Sequence, residues 1–197
     1  MLSRAEALEL MHEYTASDSL RKHMLAVEGA MRAYAERFGE DVEAWGLAGL
    51  MHDFDYERWP NEAHAPDREH PAEGVRILRE RGVPEPILQA ILGHARYSGV
   101  PRDTLMAKTL FAVDELTGLI TAVALVRPSK SLNDVDVRSV QKKMKDKAFA
   151  RGCNREDIVE GAGALGIDLP DHIQFVLDAM RARADSLGLG GLSATPA

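Results

Sequence analysis

Apolar residues recur at three- and four-residue steps along most of the chain, whereas strictly alternating stretches are scarce. Positions three and four apart fall on one face of a helix, because one helical turn takes about 3.6 residues. Neither Asn-Gly nor Asp-Gly, the dipeptides typical of tight hairpins, occurs in the sequence. The pattern therefore predicts an all-α protein.

Residues that start or stop helices divide this pattern into nine predicted helices. Ser3 and Glu6 have the spacing of a capping box, Gly39 is placed as a C-terminal stop, and Pro71 suits the first position of a helix. The predicted helices cover residues 2–14, 18–38, 42–53, 71–81, 85–94, 101–126, 136–146, 154–165 and 170–187. The segment over 55–69 is predicted to be a loop.

The composition is that of an ordinary globular protein, with 45% hydrophobic and 28% charged residues over 197 positions. We expect a single domain over residues 1–187, with its core at about 17–126 and C-terminal helices at about 136–187. Residues 188–197, GLGGLSATPA, have the composition of a disordered tail.

Charge and cysteine content narrow the class of function. A net charge of -7 argues against a protein that binds the backbone of nucleic acids. The single cysteine, Cys153, excludes a disulfide framework within the chain and is typical of a reducing compartment. No stretch of sequence is apolar for long enough to suggest a membrane span, so we expect a cytoplasmic protein without a membrane partner.

Several histidine and aspartate residues fall on helix faces that are otherwise apolar. In the second predicted helix, His23 shares a face with apolar neighbours rather than with the charged Glu28. His52 and Asp53 close the apolar stretch LAGLMHD, and Asp114 lies among apolar residues of the helix over 101–126. A buried, unpaired carboxylate is costly because desolvation disfavours its charged form.

Two interpretations are open for these residues. Taken singly, an inward histidine is more often a hydrogen-bonded core residue, and a buried aspartate is often a polar contact between helices. Taken together, imidazoles and carboxylates from three helices are ligands that divalent metals prefer, and a metal would neutralise Asp53 and Asp114. His70, before a helix start, and His94, at a helix end, are predicted to join this set. The remaining histidines are interpreted as structural or solvent-exposed: His12, His64 and His172.

The order of these residues, with the HD pair at the end of LAGLMHD, resembles the HD-domain superfamily of metal-dependent phosphohydrolases over about residues 17–126. The resemblance implies a helical bundle of HD fold with a binuclear metal site between core helices. The implied ligands of a first divalent ion are His23, His52, Asp53 and Asp114. Those of a second are Asp53, as a bridge, His70 and His94. The metal, among Fe, Mn, Mg, Co, Ni and Zn, and the presence of one ion or two are left open.

By this resemblance we expect a phosphoric ester hydrolase, a phosphomonoesterase or a phosphodiesterase, in which a metal-activated water attacks phosphorus. The expected substrate is a nucleotide or another small phosphorylated molecule. Two alternatives stay open: a di-iron oxygenase of the same fold, and a regulatory module that binds metal or nucleotide without turnover. The sequence leaves the oligomeric state open.

A negatively charged substrate requires basic groups near the metal centre. The residues predicted to supply them are Arg127, Lys130, Arg21 and Lys108. Asp53 and Asp55 are the predicted catalytic carboxylates, with Asp55 at the start of a substrate-facing loop and assisting proton transfer. The basic segment over 138–151 is interpreted mainly as a solvated helix face.

Overall fold

Nine α-helices form the regular structure of residues 2–191, the part of the chain that the computed structural model describes. They are α1 (Arg4–Tyr14), α2 (Asp18–Phe38), α3 (Val42–Met51), α4 (Ala72–Glu80), α5 (Glu85–His94), α6 (Leu105–Leu125), α7 (Val137–Met144), α8 (Arg155–Ala164) and α9 (Leu169–Arg181). Two 3-10 turns and an isolated bridge between Ser131 and Gly190 accompany them. The predicted all-α class is confirmed.

Helices α2 and α5 have the predicted bounds, and most of the other helix ends lie within two residues of the prediction. Ser3 and Glu6 form the expected capping box at the start of α1. The side chains of Ser17 and Asp41 accept backbone N–H groups at the starts of α2 and α3. Gly39 ends α2 in the left-handed conformation, with φ of 72°, which a residue without a Cβ adopts at little cost.

The differences at three helix ends have identifiable causes. Pro71 precedes α4 as its N-cap instead of forming its first residue. α6 begins at Leu105 rather than near residue 101, and the Thr104 hydroxyl accepts the N–H of Ala107 there, as a capping side chain does. α9 ends at Arg181 rather than 187, because the chain then turns back and buries Leu187.

The chain divides into two compact units, residues 1–111 and 112–197. In the first unit α3 packs against α1, α2 and α5, and every residue from Trp45 to Met51 is buried. Gly49 permits the close packing of α3 on α2, because a Cβ at that position would lie 3.0 Å from the backbone of Glu28. His52, directly after α3, is therefore held in the interior of this unit.

In the second unit α9 packs against α7 and α8. The buried His172 bonds through Nε2 to the carbonyl oxygen of Ala112 at 2.9 Å, a structural contact. Leu189 is buried, and its carbonyl oxygen accepts the N–H of Leu132 at 2.9 Å. Ordered packing thus continues past residue 187, where the sequence suggested a disordered tail. Residues 192–197, the rest of that expected tail, lie outside the described residues.

Over residues 2–191 the helices are too short or too polar for any of them to cross a membrane.

A buried carboxylate, Glu28 on α2, connects α2 to α1. Its side chain is fully buried, although the sequence pattern places it with charged positions. Arg4 donates to both of its oxygens at 2.6 and 2.9 Å, and Arg32 donates to one at 2.8 Å. Burial alone would raise the pKa of Glu28, but the hydrogen bonds from the two arginines outweigh burial and lower that pKa.

We predict that Glu28→Gln lowers the free energy of unfolding at pH 7 by about 2–3 kcal/mol, because two arginines lose their shared buried counter-charge. Because the pKa of Glu28 is lower in the folded protein than in the unfolded chain, where it is near 4.5, its charge stabilises the fold at pH values above 4.5. This stabilisation is lost as the pH falls through the pKa of the folded state. The difference between wild type and variant should therefore shrink as the pH is lowered below 4.5. Urea unfolding at several pH values measures it.

Glu43→Gln is the matched control, since Glu43 binds the same Arg32 but is exposed. It should cost much less stability than Glu28→Gln. Equal losses for the two variants would contradict a special role for the buried carboxylate.

Candidate metal centre

Four histidines and one aspartate of the first unit meet beside the end of α3. His23 lies on α2, His52 is the C-cap of α3, and Asp53 follows it directly. His70 ends the loop before α4, and His94 is the last residue of α5. Three helices and one loop thus bring together residues that are up to 71 positions apart in the sequence.

The Asp53 carboxylate lies between two pairs of imidazoles. Its Oδ2 is 3.3 Å from His52 Nε2 and 3.6 Å from His23 Nε2. Its Oδ1 is 3.3 Å from His70 Nε2 and 3.4 Å from His94 Nε2. One ligand atom each from Asp53, His70 and His94 lies within 4.8 Å of the others, close enough for all three to bind one ion.

The imidazole rings are oriented by acceptors bonded to their outer nitrogens. His52 Nδ1 lies 2.8 Å from the carbonyl oxygen of Gly49, and His94 Nδ1 bonds the carbonyl oxygen of Ile91. His70 Nδ1 lies 2.7 Å from a carboxylate oxygen of Asp55. A carbonyl or carboxylate only accepts, so each Nδ1 carries the proton, and in a neutral ring Nε2 has the free lone pair.

These lone pairs face one another within each pair of histidines. His70 Nε2 and His94 Nε2 are 3.2 Å apart, and His52 Nε2 and His23 Nε2 are 3.3 Å apart. Two neutral acceptors repel at that distance unless a proton or a cation lies between them. Nitrogen ligands at about 2.1 Å from one metal ion are separated by roughly 3 Å, so the donor set fits a divalent metal.

Without a metal, protons must compensate the buried charge. Burial alone would raise the pKa of Asp53, but the charge of His52 and hydrogen bonds from His52 and His94 hold it well below its usual range. Burial alone would lower the pKa of His70, yet the hydrogen bond to Asp55 and nearby negative charge raise it. The centre therefore favours cationic species around an ionised Asp53.

Asp55 does not have the exposed position expected for it at the start of a substrate-facing loop. Its side chain is fully buried, and Oδ1 accepts from His70 while Oδ2 accepts the Gly74 N–H at 2.7 Å. Both oxygens of Asp55 thus accept hydrogen bonds, one of them from the candidate ligand His70. This geometry fits a carboxylate that orients His70 better than one that exchanges protons with a substrate.

Gly74, in the first turn of α4, makes this arrangement possible. A Cβ at Gly74 would lie 2.6 Å from Asp55 Cγ, so any other residue at this position would require the Asp55 side chain to shift. The backbone N–H at this position has no partner within the helix, because it belongs to the first turn. Asp55 therefore accepts the otherwise unpaired N–H of Gly74 at the start of α4 and, with its other oxygen, orients His70.

The other predicted site residues have different surroundings. Arg21 donates to the carbonyl oxygens of Thr15 and His12 at 2.6 and 3.1 Å, so it connects α2 to the end of α1. Lys108 is half-buried on α6 in the first unit. Three residues belong to the second unit, and their roles in metal or substrate binding stay predictions: Asp114, Arg127 and Lys130.

Two tyrosines beside His70 were not anticipated from the sequence. The Tyr97 hydroxyl donates to the His70 carbonyl oxygen at 2.7 Å, and burial raises the pKa of Tyr97 to about 12, so it stays protonated. Tyr56 is 38% exposed, and its ring meets the His70 ring edge-on, with centroids 5.2 Å apart. In the sequence, the signal for Tyr56 is its position three residues after Asp53, which places it near the predicted ligands.

The fold and this centre define an all-helical protein with a buried histidine–aspartate site suited to divalent metals. The family model of the HD domain matches residues 20–119, which include all six predicted metal ligands. The chain belongs to the HD-domain family, whose members are generally metal-dependent hydrolases. No solved structure matches the chain at a significant level.

We predict that Asp55→Asn weakens the binding of Mn²⁺ by about 10–100-fold, because the outer partner of a ligand histidine orients it and increases its basicity. Calorimetric titration of the full chain measures the affinity. Asp67→Asn removes a carboxylate that is exposed in the same loop and should leave the affinity unchanged.

Gly74→Ala tests the same arrangement without changing charge. Alanine favours helices over glycine by up to about 1 kcal/mol, so a purely local effect would not weaken the fold. We predict reduced Mn²⁺ affinity, because the new methyl group displaces Asp55 from His70. Wild-type affinity in both Asp55→Asn and Gly74→Ala would contradict the positioning role of Asp55.

Proposed function

We propose that the protein is a phosphohydrolase that uses two divalent metal ions to hydrolyse a phosphoester of a nucleotide or a related small molecule. The observation that supports this most directly is the Asp53 carboxylate, with one oxygen directed at each pair of histidines. A carboxylate in that position suits a bridge between two ions. His70 and His94 would hold one ion, and His23 and His52, with the predicted Asp114, the other.

When bound, paired divalent ions stabilise the charge that develops on phosphate oxygens and acidify the water that attacks phosphorus. The chain contributes the geometry. The acceptors behind His52, His70 and His94 fix the tautomer that directs Nε2 inward. The surrounding helices exclude bulk water, since His52 and His70 are almost fully buried, while Asp53 and His23 keep limited exposure.

The partial exposure sets where a substrate can approach. The Asp53 side chain is 16% exposed and that of His23 is 22% exposed, so solvent reaches the centre beside these two residues. Tyr56 presents an exposed aromatic ring beside His70. An aromatic face next to a phosphate-binding centre suits a planar base, which supports a nucleotide as the substrate class.

We predict that the chain loaded with Mn²⁺ or Co²⁺ releases phosphate or a phosphomonoester from at least one class in a panel of nucleotides and nitrophenyl phosphates. Asp53→Asn should lower the turnover rate by at least about 100-fold, because both ions lose their shared ligand. Comparison of p-nitrophenyl phosphate with its bis-ester separates monoesterase from diesterase activity.

Asp171→Asn, an exposed aspartate of the second unit, is the control and should retain full activity. Tight metal binding with no turnover on the panel would favour a regulatory module. An iron-dependent absorption band with oxygen consumption, in place of hydrolysis, would favour a di-iron oxygenase. Either result would overturn the proposed hydrolase.

A further inference from the structure

The second unit contains a basic cleft of about 650 Å³, and none of its lining residues is a predicted metal ligand. Its cationic side is formed by Arg127, which follows α6, and by Arg138 and Lys142 on α7. Its apolar side is formed by Val126, 60% exposed, and by Pro128. We call these five residues the basic cleft.

The charge of this region contrasts with the rest of the chain. Residues 127–151 contain eight lysines and arginines against three aspartates, although the whole protein has a net charge of -7. A local positive field of this kind attracts and concentrates anions.

The three cations of the basic cleft have unused hydrogen-bond donors. Among the described residues, the side chains of Arg127, Arg138 and Lys142 form no hydrogen bond or ion pair. Arg138 and Lys142 are four residues apart on α7, so two like charges share one helix face, an arrangement that is unfavourable by itself. Lys143, by contrast, pairs with Asp146 at 3.3 Å and lies over the ring of Phe149.

One acid, Asp136, lines the cleft and offsets only part of the positive charge. The Asp136 carboxylate caps α7 by accepting the Ser139 N–H at 2.8 Å. The hydrogen bonds of this cap, together with the nearby charges of Arg127 and Arg138, lower the pKa of Asp136, so it stays ionised at neutral pH. The cleft keeps an excess of positive charge.

The backbone between α6 and α7 holds the cleft in shape. Arg181 on α9 donates to the carbonyl oxygens of Leu132 and Val135 at 3.2 and 2.6 Å. Both of these residues are buried, which fixes the connection that separates Arg127 from α7. A preformed anion site loses less entropy when its ligand binds.

We propose that the basic cleft binds a nucleoside polyphosphate, with Arg127, Arg138 and Lys142 on the phosphates and the Val126–Pro128 side against the base. Arginine guanidinium groups match phosphate oxygens in a bidentate manner, and lysine adds a point charge. The volume fits a ligand of nucleotide size. The proposal does not rest on hydrolase activity, because none of these residues belongs to the metal-binding set of the first unit.

The test is a calorimetric titration of the full chain in EDTA, in an Asp53→Asn background that removes the metal centre from the measurement. The probes are ATP, inorganic tripolyphosphate and adenosine. We expect ATP to bind more tightly than tripolyphosphate, and adenosine to bind far more weakly than either. Because binding is measured without metal, its failure is distinct from failure of the proposed hydrolase.

The double variant Arg127→Ala/Arg138→Ala should weaken ATP binding at least tenfold. Lys147→Ala/Arg151→Ala removes the same number of charges from exposed positions outside the cleft and should change it less than twofold. Arg127→Lys/Arg138→Lys keeps the charge and should recover part of the loss, which separates ligand contacts from misfolding.

Equal losses in the two alanine variants would overturn the proposal, because they would indicate general charge attraction. No measurable ATP binding would overturn it as well. Binding of duplex DNA or anionic lipid vesicles but not of ATP would also overturn it and would identify a surface for a macromolecule.

Discussion

The structure of the first unit depends on one electrostatic constraint, an ionised carboxylate that is held among four imidazoles. Asp53 is stable there only if positive charge accompanies it. The facing Nε2 lone pairs also need a proton or a cation between them. Protons can meet this demand in the free protein. A divalent metal meets it better, because one ion satisfies a carboxylate oxygen and two nitrogens together.

This constraint explains features that lie some distance from Asp53. The end of α3 is placed in the interior by close packing on α2, which Gly49 allows. The start of α4 carries Gly74, so that Asp55 can approach closely and orient His70. The sequence therefore has glycine at the two positions, 49 and 74, where a Cβ would prevent the close approach that the centre requires. Hydrogen-bond partners behind the ligands, such as Asp55, commonly determine metal affinity.

Much of the fold could be predicted from local patterns, because helix caps and apolar spacing are encoded within a few residues. Gly39 and the box of Ser3 and Glu6 act as predicted. The bounds of α6 and α9 were less accurate, since Thr104 competes as a cap and the chain after Arg181 folds back for tertiary reasons. Glu28 was misplaced because its burial depends on Arg4, which lies 24 residues away.

The candidate ligands could be named from the sequence because His and Asp on apolar faces are a local signal. The roles of the residues around these ligands could not be predicted from the sequence, because those roles depend on contacts between distant segments. Asp55 was predicted to be an exposed loop residue, but its side chain bonds to the start of α4. Tyr97 reaches the His70 carbonyl oxygen from the 3-10 turn that follows α5. Arg138 and Lys142 likewise belong to a segment interpreted as a solvated helix face. Their place beside Arg127, which was predicted to bind substrate, depends on how α7 packs.

The most direct test of the central claim is a crystal structure of the Mn²⁺-loaded full chain with anomalous diffraction data. The account predicts anomalous peaks on both sides of the Asp53 carboxylate, one beside His70 and His94 and one beside His23 and His52. Density for Asp53 bonded directly to protonated histidines, with no anomalous peak at saturating metal, would contradict it.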